Sequence, residues 1–164
     1  MRQIVLIAHN VRSTHNVGSL LRTAEGLGVS KVYLTGYTPY PLRDGDERLP
    51  HIARKLDEQI HKTALDAEKL VSWEHENDIG TVIEGLRLDG FAVVALEQGL
   101  DAVRMPKWQP SPKVALIVGR EVEGIEPEVQ ELADVLVEIP MFGKKESFNV
   151  VQAAAMALAH CRFS

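Results

Sequence analysis

The chain has 164 residues, 45% of them hydrophobic and 25% charged, a balance that describes a folded domain of ordinary size with a real core. Its 18 Lys and Arg against 23 Asp and Glu give a formal net charge of −5, a mild argument against nucleic acid as a partner unless basic residues gather locally. A single cysteine, Cys161, excludes an intrachain disulfide and a cysteine-based zinc site and suits a reducing cytoplasm; the apolar run at residues 4–8 is too short for a signal peptide or a membrane span.

That run reads as a first strand, opening onto the polar loop of residues 9–15. Asn16 suits the N-cap of a helix whose apolar face takes Val17, Leu20, Leu21, Ala24 and Leu27, with Gly28 as the glycine just past its end. Residues 31–36 form a second strand, so the chain opens with a βαβ unit. Residues 37–50, with Pro39, Pro41, Gly45 and Pro50, make the longest irregular stretch; such loops in a compact domain are usually functional or disordered. A helical period covers residues 52–70, and residues 71–73 are a short strand or a connection. A helix at residues 79–88 is closed by Asp89-Gly90, and residues 91–96 are a buried strand. Residues 99–112, with three prolines, read as a loop.

The C-terminal third is the most informative. The apolar run 114–118 stops at Gly119-Arg120-Glu121, and a second run, 135–139, ends at Pro140 and leads into Met141. Between them Pro127 fits the first position of a short helix through Leu132. Ser147 stands near the N-cap of an alanine-rich helix over residues 148–159. The expected fold class is α/β: one domain, residues 1–164, with five or six mostly parallel strands and helices on both faces. Ligands in such folds sit at the carboxyl ends of strands. Neither a Gly-x-Gly-x-x-Gly turn nor a phosphate-binding Gly-Lys-Ser/Thr loop is present, and no Gly-x-Ser-x-Gly elbow surrounds Ser147. The six histidines show no metal spacing, so no metal is expected, and His160 is read as structural.

Three motifs stand in order. Asn16, Gly18 and Arg22 make the first; Gly119-x-Glu121-x-x-Gly124-Ile125 the second; Ile139-Pro140-Met141 followed by Ser147-Phe148-Asn149-Val150 the third. The chain therefore resembles the TrmH (SpoU) branch of the SPOUT RNA methyltransferases along nearly its whole length. The resemblance implies a C-terminal trefoil knot around the loops at Gly119 and Met141, S-adenosyl-L-methionine as cofactor, and a ribose 2′-hydroxyl of RNA as acceptor. It also implies a homodimer whose sites draw on both subunits, for which the alanine-rich final helix is compatible.

By the same resemblance Leu96, Gly119, Ile139, Met141, Ser147 and Phe148 are cofactor contacts; isolated apolar residues of this kind could equally be core. Arg22 is the expected catalytic residue, as a general base or as an electrostatic and positioning group; otherwise it is a surface arginine beside Glu25. Asn16 supports Arg22 or simply caps a helix, Glu121 orients the arginine or is a solvated carboxylate, and Ser147 and Asn149 close the site. Arg12, Arg43, Arg48, Arg54, Lys55 and Lys62 are interleaved with Asp44, Asp46, Glu47, Asp57 and Glu58, which leaves the RNA-contact surface undefined. The expected activity is cytoplasmic RNA 2′-O-ribose methylation, on tRNA before rRNA, with the wobble ribose a candidate. Rivals are a non-catalytic RNA-binding module on the same scaffold and base methylation.

Overall fold

Seven strands form one all-parallel sheet in the computed structural model, which describes residues 1–164. The strands are β1 (Gln3–His9), β2 (Lys31–Thr35), β3 (Trp73–Glu76), β4 (Ala92–Leu96), β5 (Val103–Arg104), β6 (Lys113–Val118) and β7 (Val135–Glu138), in the spatial order β3-β2-β1-β6-β4-β7-β5. The helices are α1 (Thr14–Gly26), α2 (Pro50–Ala64), α3 (Ala67–Leu70), α4 (Ile79–Leu88), α5 (Pro127–Leu132) and α6 (Val150–Phe163).

Parallel strands covered on both faces read as continuous apolar runs, which is why residues 4–8 and 114–118 are unbroken by polar groups. Alternate side chains then serve two cores. Ile4, Leu6 and Leu116 pack with Leu20, Ile60 and Leu158 under α1, α2 and α6. Val5, Ile7 and Ile117 pack with Ile83 and Val129 under α4 and α5 on the other face. Gly18 lets α1 lie directly on α2: a side-chain carbon there would run into Thr63 and the Ile60 carbonyl and sit 2.9 Å from the Ala64 nitrogen.

Two helix starts differ from the sequence expectation. Ser13, not Asn16, caps α1; its backbone is extended and its Oγ accepts from the Asn16 nitrogen at 3.2 Å, so Asn16 lies in the first turn with its amide free for other work. Asn149, not Ser147, caps α6, with Oδ1 accepting from the Val151 nitrogen at 2.8 Å. Ser147 is exposed in the preceding loop. The helical period of residues 52–70 is broken by Leu65 and Asp66, both left-handed, which separates α2 from α3. The strand count exceeds five or six because the edges β3 and β5 are four and two residues long, too short and polar for a periodic signal. His160 is structural, donating from Nε2 to the Trp108 carbonyl at 2.9 Å and stacking on its ring. Cys161 is buried, and burial pushes its thiol up to about 11, so it is no nucleophile.

Because β1 leads outward to β2 and β3 on one side while β6 and the later strands lie on the other, the order of the strands switches between the parallel β1 and β6. The crevice at their carboxyl ends is where such sheets bind ligands.

Candidate functional site

The strand exits of β4, β6 and β7 and the approach to α6 enclose a cleft of about 220 Å³. Leu96, Gly119, Ile139, Met141, Ser147 and Phe148, the six residues expected to touch a cofactor, all line it. Leu96 also packs against the main core, whereas Ile139 is half-buried and Phe148 exposed, so the plain core reading does not account for these last two.

Polar side chains hold the three loops together. Arg120 and Gly124 exchange backbone hydrogen bonds of 3.2 Å, and Gly124 takes a φ of +71°, which a side chain rarely adopts. Glu97 Oε2 accepts from the Ile125 nitrogen at 2.9 Å and sits where a Gly124 side chain would be. Gln98 Nε2 donates to the Glu146 carbonyl at 2.6 Å, tying β4 to the loop before α6.

At the edge of this cleft the three motifs meet. Glu121 Oε1 accepts from the Ser13 nitrogen at 3.0 Å and from Asn16 Nδ2 at 3.3 Å; its Oε2 accepts from the Arg12 nitrogen at 3.3 Å. Asn149 Nδ2 reaches Asn16 Oδ1 at 3.5 Å. Glu121 is therefore no freely solvated loop carboxylate. Burial pushes its pKa up, but the hydrogen bonds from Ser13, its own backbone, Arg12 and Asn16 outweigh this and hold it below the usual glutamate value.

A carboxyl whose folded pKa is depressed contributes stability that is present above its unfolded value, here 4.5, and is lost as pH falls through the folded value. Glu121→Gln is expected to be less stable than the wild type near neutrality, with the gap narrowing below about pH 4.5. Urea denaturation across that range would show it, and a gap independent of pH would refute the assignment. Glu126, Asp46 and Asp66 are depressed as well, so only part of the acid sensitivity disappears.

Arg22 stands apart. It is exposed on α1, makes no ion pair with Glu25 or any other residue, and is not part of the cleft wall of its own chain. The structure thus brings together Asn16, Glu121 and Asn149 beside the cleft and Ser147 on its wall, but not Arg22.

A second polar cluster at the β1–β6 crevice was not read from the sequence. Asn10, left-handed at φ 55°, donates from Nδ2 to Glu126 Oε1 at 2.9 Å, Arg120 Nε lies 3.4 Å from the same oxygen, and His9 bonds Thr35 Oγ1 at 2.9 Å. His9 is buried, and burial lowers its pKa against the opposing pull of Glu126. Glu97, Gln98, His9, Asn10 and Glu126 carry no local pattern; the one available signal was that the first four stand at or just past the ends of β1 and β4, while Glu126 precedes α5. The nearest approach to a metal-ligand set is His61, Asp66 and Glu68 at the α2–α3 corner, where Lys69 already lies 3.0 Å from Asp66.

A family model described as the SpoU rRNA methylase family matches residues 47–159. The tRNA (guanosine(18)-2′-O)-methyltransferase of Aquifex aeolicus is 27% identical over 96% of this chain and 67% of its own length. The 23S rRNA (guanosine-2′-O-)-methyltransferase RlmB of Acinetobacter baylyi is 31% identical over 94% of this chain and 57% of its own. Among solved structures, the AdoMet-bound rRNA methyltransferase from Sinorhizobium meliloti superposes with a TM-score of 0.81 at 23% identity, over 98% of this chain and 56% of that one. A structure described by the words "Structural insights into the 2-OH methylation of C/U34 on tRNA" superposes with a TM-score of 0.76 at 21% identity, over 98% of this chain and 94% of that one. The chain spans 57–67% of the length of the two curated relatives.

Proposed function

Since the chain belongs to the SpoU rRNA methylase family, we propose that it is an S-adenosyl-L-methionine-dependent RNA 2′-O-ribose methyltransferase. The observation that carries this reading is the junction of Asn16, Glu121 and Asn149, which draws motifs separated by more than a hundred residues to the lip of one cleft. Among its substrates tRNA comes before rRNA, and the wobble ribose is the first position to test. The support is that proteins named for 2′-O-methylation of tRNA, one of them concerned with C/U34, stand among those the chain resembles, beside the rRNA enzymes.

The cleft suits the cofactor chemically, with apolar walls from Leu96, Ile139, Met141 and Phe148, a hydroxyl from Ser147, and strand-end backbone at Gly119. S-adenosylmethionine, when bound, would supply an electrophilic methyl group and leave as its neutral thioether, while the 2′-oxygen that accepts the methyl releases its proton to solvent. Glu121 and Asn149 hold Asn16 and the Arg12–Ser13 backbone in place, so the acceptor ribose meets a fixed surface. Arg22 is normally a cation and donates five hydrogen bonds, so its assigned work is to position the RNA and stabilise the developing alkoxide. It is exposed and outside its own cleft, which favours action on the cleft of a second copy in a homodimer. The same reading takes residues 1–164 as the SPOUT domain and the crossing after β6 and β7 as its trefoil knot. It also takes the cytoplasm as its place of work; no helix is long and apolar enough to cross a membrane.

Methyl transfer from labelled S-adenosylmethionine to tRNA and, separately, to rRNA, followed by nucleoside analysis, tests the proposal. Label in a 2′-O-methyl nucleoside of tRNA is the expected result. Label in rRNA alone would overturn the substrate, label in a base would overturn the reaction, and none in either RNA would favour a binding module.

A further inference from the structure

The irregular stretch between β2 and α2 is not loose. Arg48 donates from Nη1 to the Tyr40 carbonyl and from Nη2 to the Pro41 carbonyl, both at 3.0 Å, and pairs with Asp46 through contacts of 2.9 and 2.6 Å. Its guanidinium lies 3.6 Å over the Tyr40 ring, which also stacks on His75 at 4.1 Å. Asp57 Oδ1 holds the Leu42 nitrogen at 2.8 Å. A surface loop ordered this heavily presents something.

What it presents is an aromatic face. Tyr37 is 53% exposed although its backbone nitrogen is anchored to Asn10 Oδ1 at 3.0 Å, and its hydroxyl accepts from Arg12 Nε at 3.5 Å. Arg12, Tyr37, Tyr40, Arg48 and His75 border a hollow of about 480 Å³. Arg43 adds a cation 4.9 Å from the Tyr40 ring centre, with no carboxylate paired to its guanidinium. Arg12 pairs with Glu123 at 3.1 Å, but both side chains are largely exposed, so the pair is weak and a phosphate can replace the carboxylate. The hollow also adjoins the candidate site, because the nitrogens of Arg12 and Ser13 are the ones that bind Glu121.

We propose that this hollow seats the base flanking the methylated nucleotide in a single-stranded stretch of the RNA, stacked on Tyr37, with Arg12 and Arg43 at its phosphates. The proposal rests on the RNA reading above. Asp44 and Glu47 stand exposed on the same loop, so no broad basic field exists here and stacking supplies the larger share of the affinity. Stacking tolerates any base, so this subsite places the strand without choosing its sequence.

Fluorescence anisotropy with a fluorescein-labelled single-stranded RNA oligonucleotide tests it, beside kcat and KM for methyl transfer to tRNA. Tyr37→Ala is expected to weaken RNA binding by about tenfold or more, the usual order for a lost base–aromatic stack, with the loss appearing in KM. Tyr37→Phe keeps the ring and should bind like the wild type, and Arg43→Ala should lower the salt slope by about one. Wild-type affinity in Tyr37→Ala would overturn the subsite and leave the methyltransferase reading standing. An equal loss in Tyr37→Phe would also overturn it, by assigning the effect to the hydroxyl and Arg12. Tyr37-dependent binding of a duplex would overturn it too, since paired bases are not free to stack. RNA binding that depends on the Tyr37 ring without methyl transfer would keep the stacking contact but overturn its place beside a methylated nucleotide, together with the enzyme. No RNA binding by the wild type would end both.

Discussion

Arg22→Ala is expected to lower the rate of methyl transfer by about two to four orders of magnitude, the range for losing a positioned charge or acid–base group from a transition state. Its cofactor affinity and melting temperature should stay those of the wild type. The side chain is exposed, pairs with nothing and touches no wall of its own cleft, so removing it leaves no unsatisfied partner behind. If Arg22 serves a second copy's site, mixing Arg22→Ala with a variant disabled at Glu121 should restore activity, because one mixed site then holds both intact parts. Mixtures as inactive as either parent would show that Arg22 works within its own chain. A fall in melting temperature matching the loss of rate would reduce it to a structural residue.

Gly119→Ala is expected to damage stability and cofactor binding together. The added carbon would lie 2.7 Å from Ile125 Cγ1, 2.9 Å from the Ile125 nitrogen and 3.0 Å from the Gly124 carbonyl carbon. Two of these are backbone atoms, and the Ile125 nitrogen is held by Glu97, so no rotamer change relieves the contact. Overpacking of this kind costs about 1–3 kcal/mol. The loop it displaces is the cleft wall, so the affinity for S-adenosylmethionine should fall with it. Gly143→Ala is the control: nothing lies within 4 Å of its added carbon, and both properties should hold. Urea denaturation and calorimetric titration measure the two effects. Equal behaviour of the two variants would refute the account of Gly119.

The sequence carried the fold wherever one element explains its own pattern. Residues 79–88 read as a helix closed by Asp89-Gly90, and α4 has those bounds, with Asp78 as its cap. It faltered where two residues could do one job. Ser13 and Asn16 are both good caps three positions apart, and what decides between them is Glu121, far along the chain, which engages Asn16 instead. Ser147 and Asn149 pose the same choice, resolved by the amide that can hold Val151 and still reach Asn16. The cleft wall was legible because the motif resemblance singled out its residues at the points where apolar strand runs stop. Its braces were not, because the bond from Asn10 to Glu126 spans 116 positions and leaves no local trace.

The central place of β1 in the sheet also governs how the protein comes into being. Residues 3–9 can dock on β2 as soon as the first βαβ unit exists, but their other neighbour is β6, at residues 113–118. Arg162, near the far end of the chain, clasps the backbone carbonyl of Arg2. A nascent chain must therefore keep one long side of its first strand unpaired until most of the polypeptide has emerged. Loop-closure entropy makes such distant pairings slow. For much of its synthesis this protein exposes a bare apolar strand, and its refolding from denaturant should be limited by closure at that seam rather than by the formation of its helices.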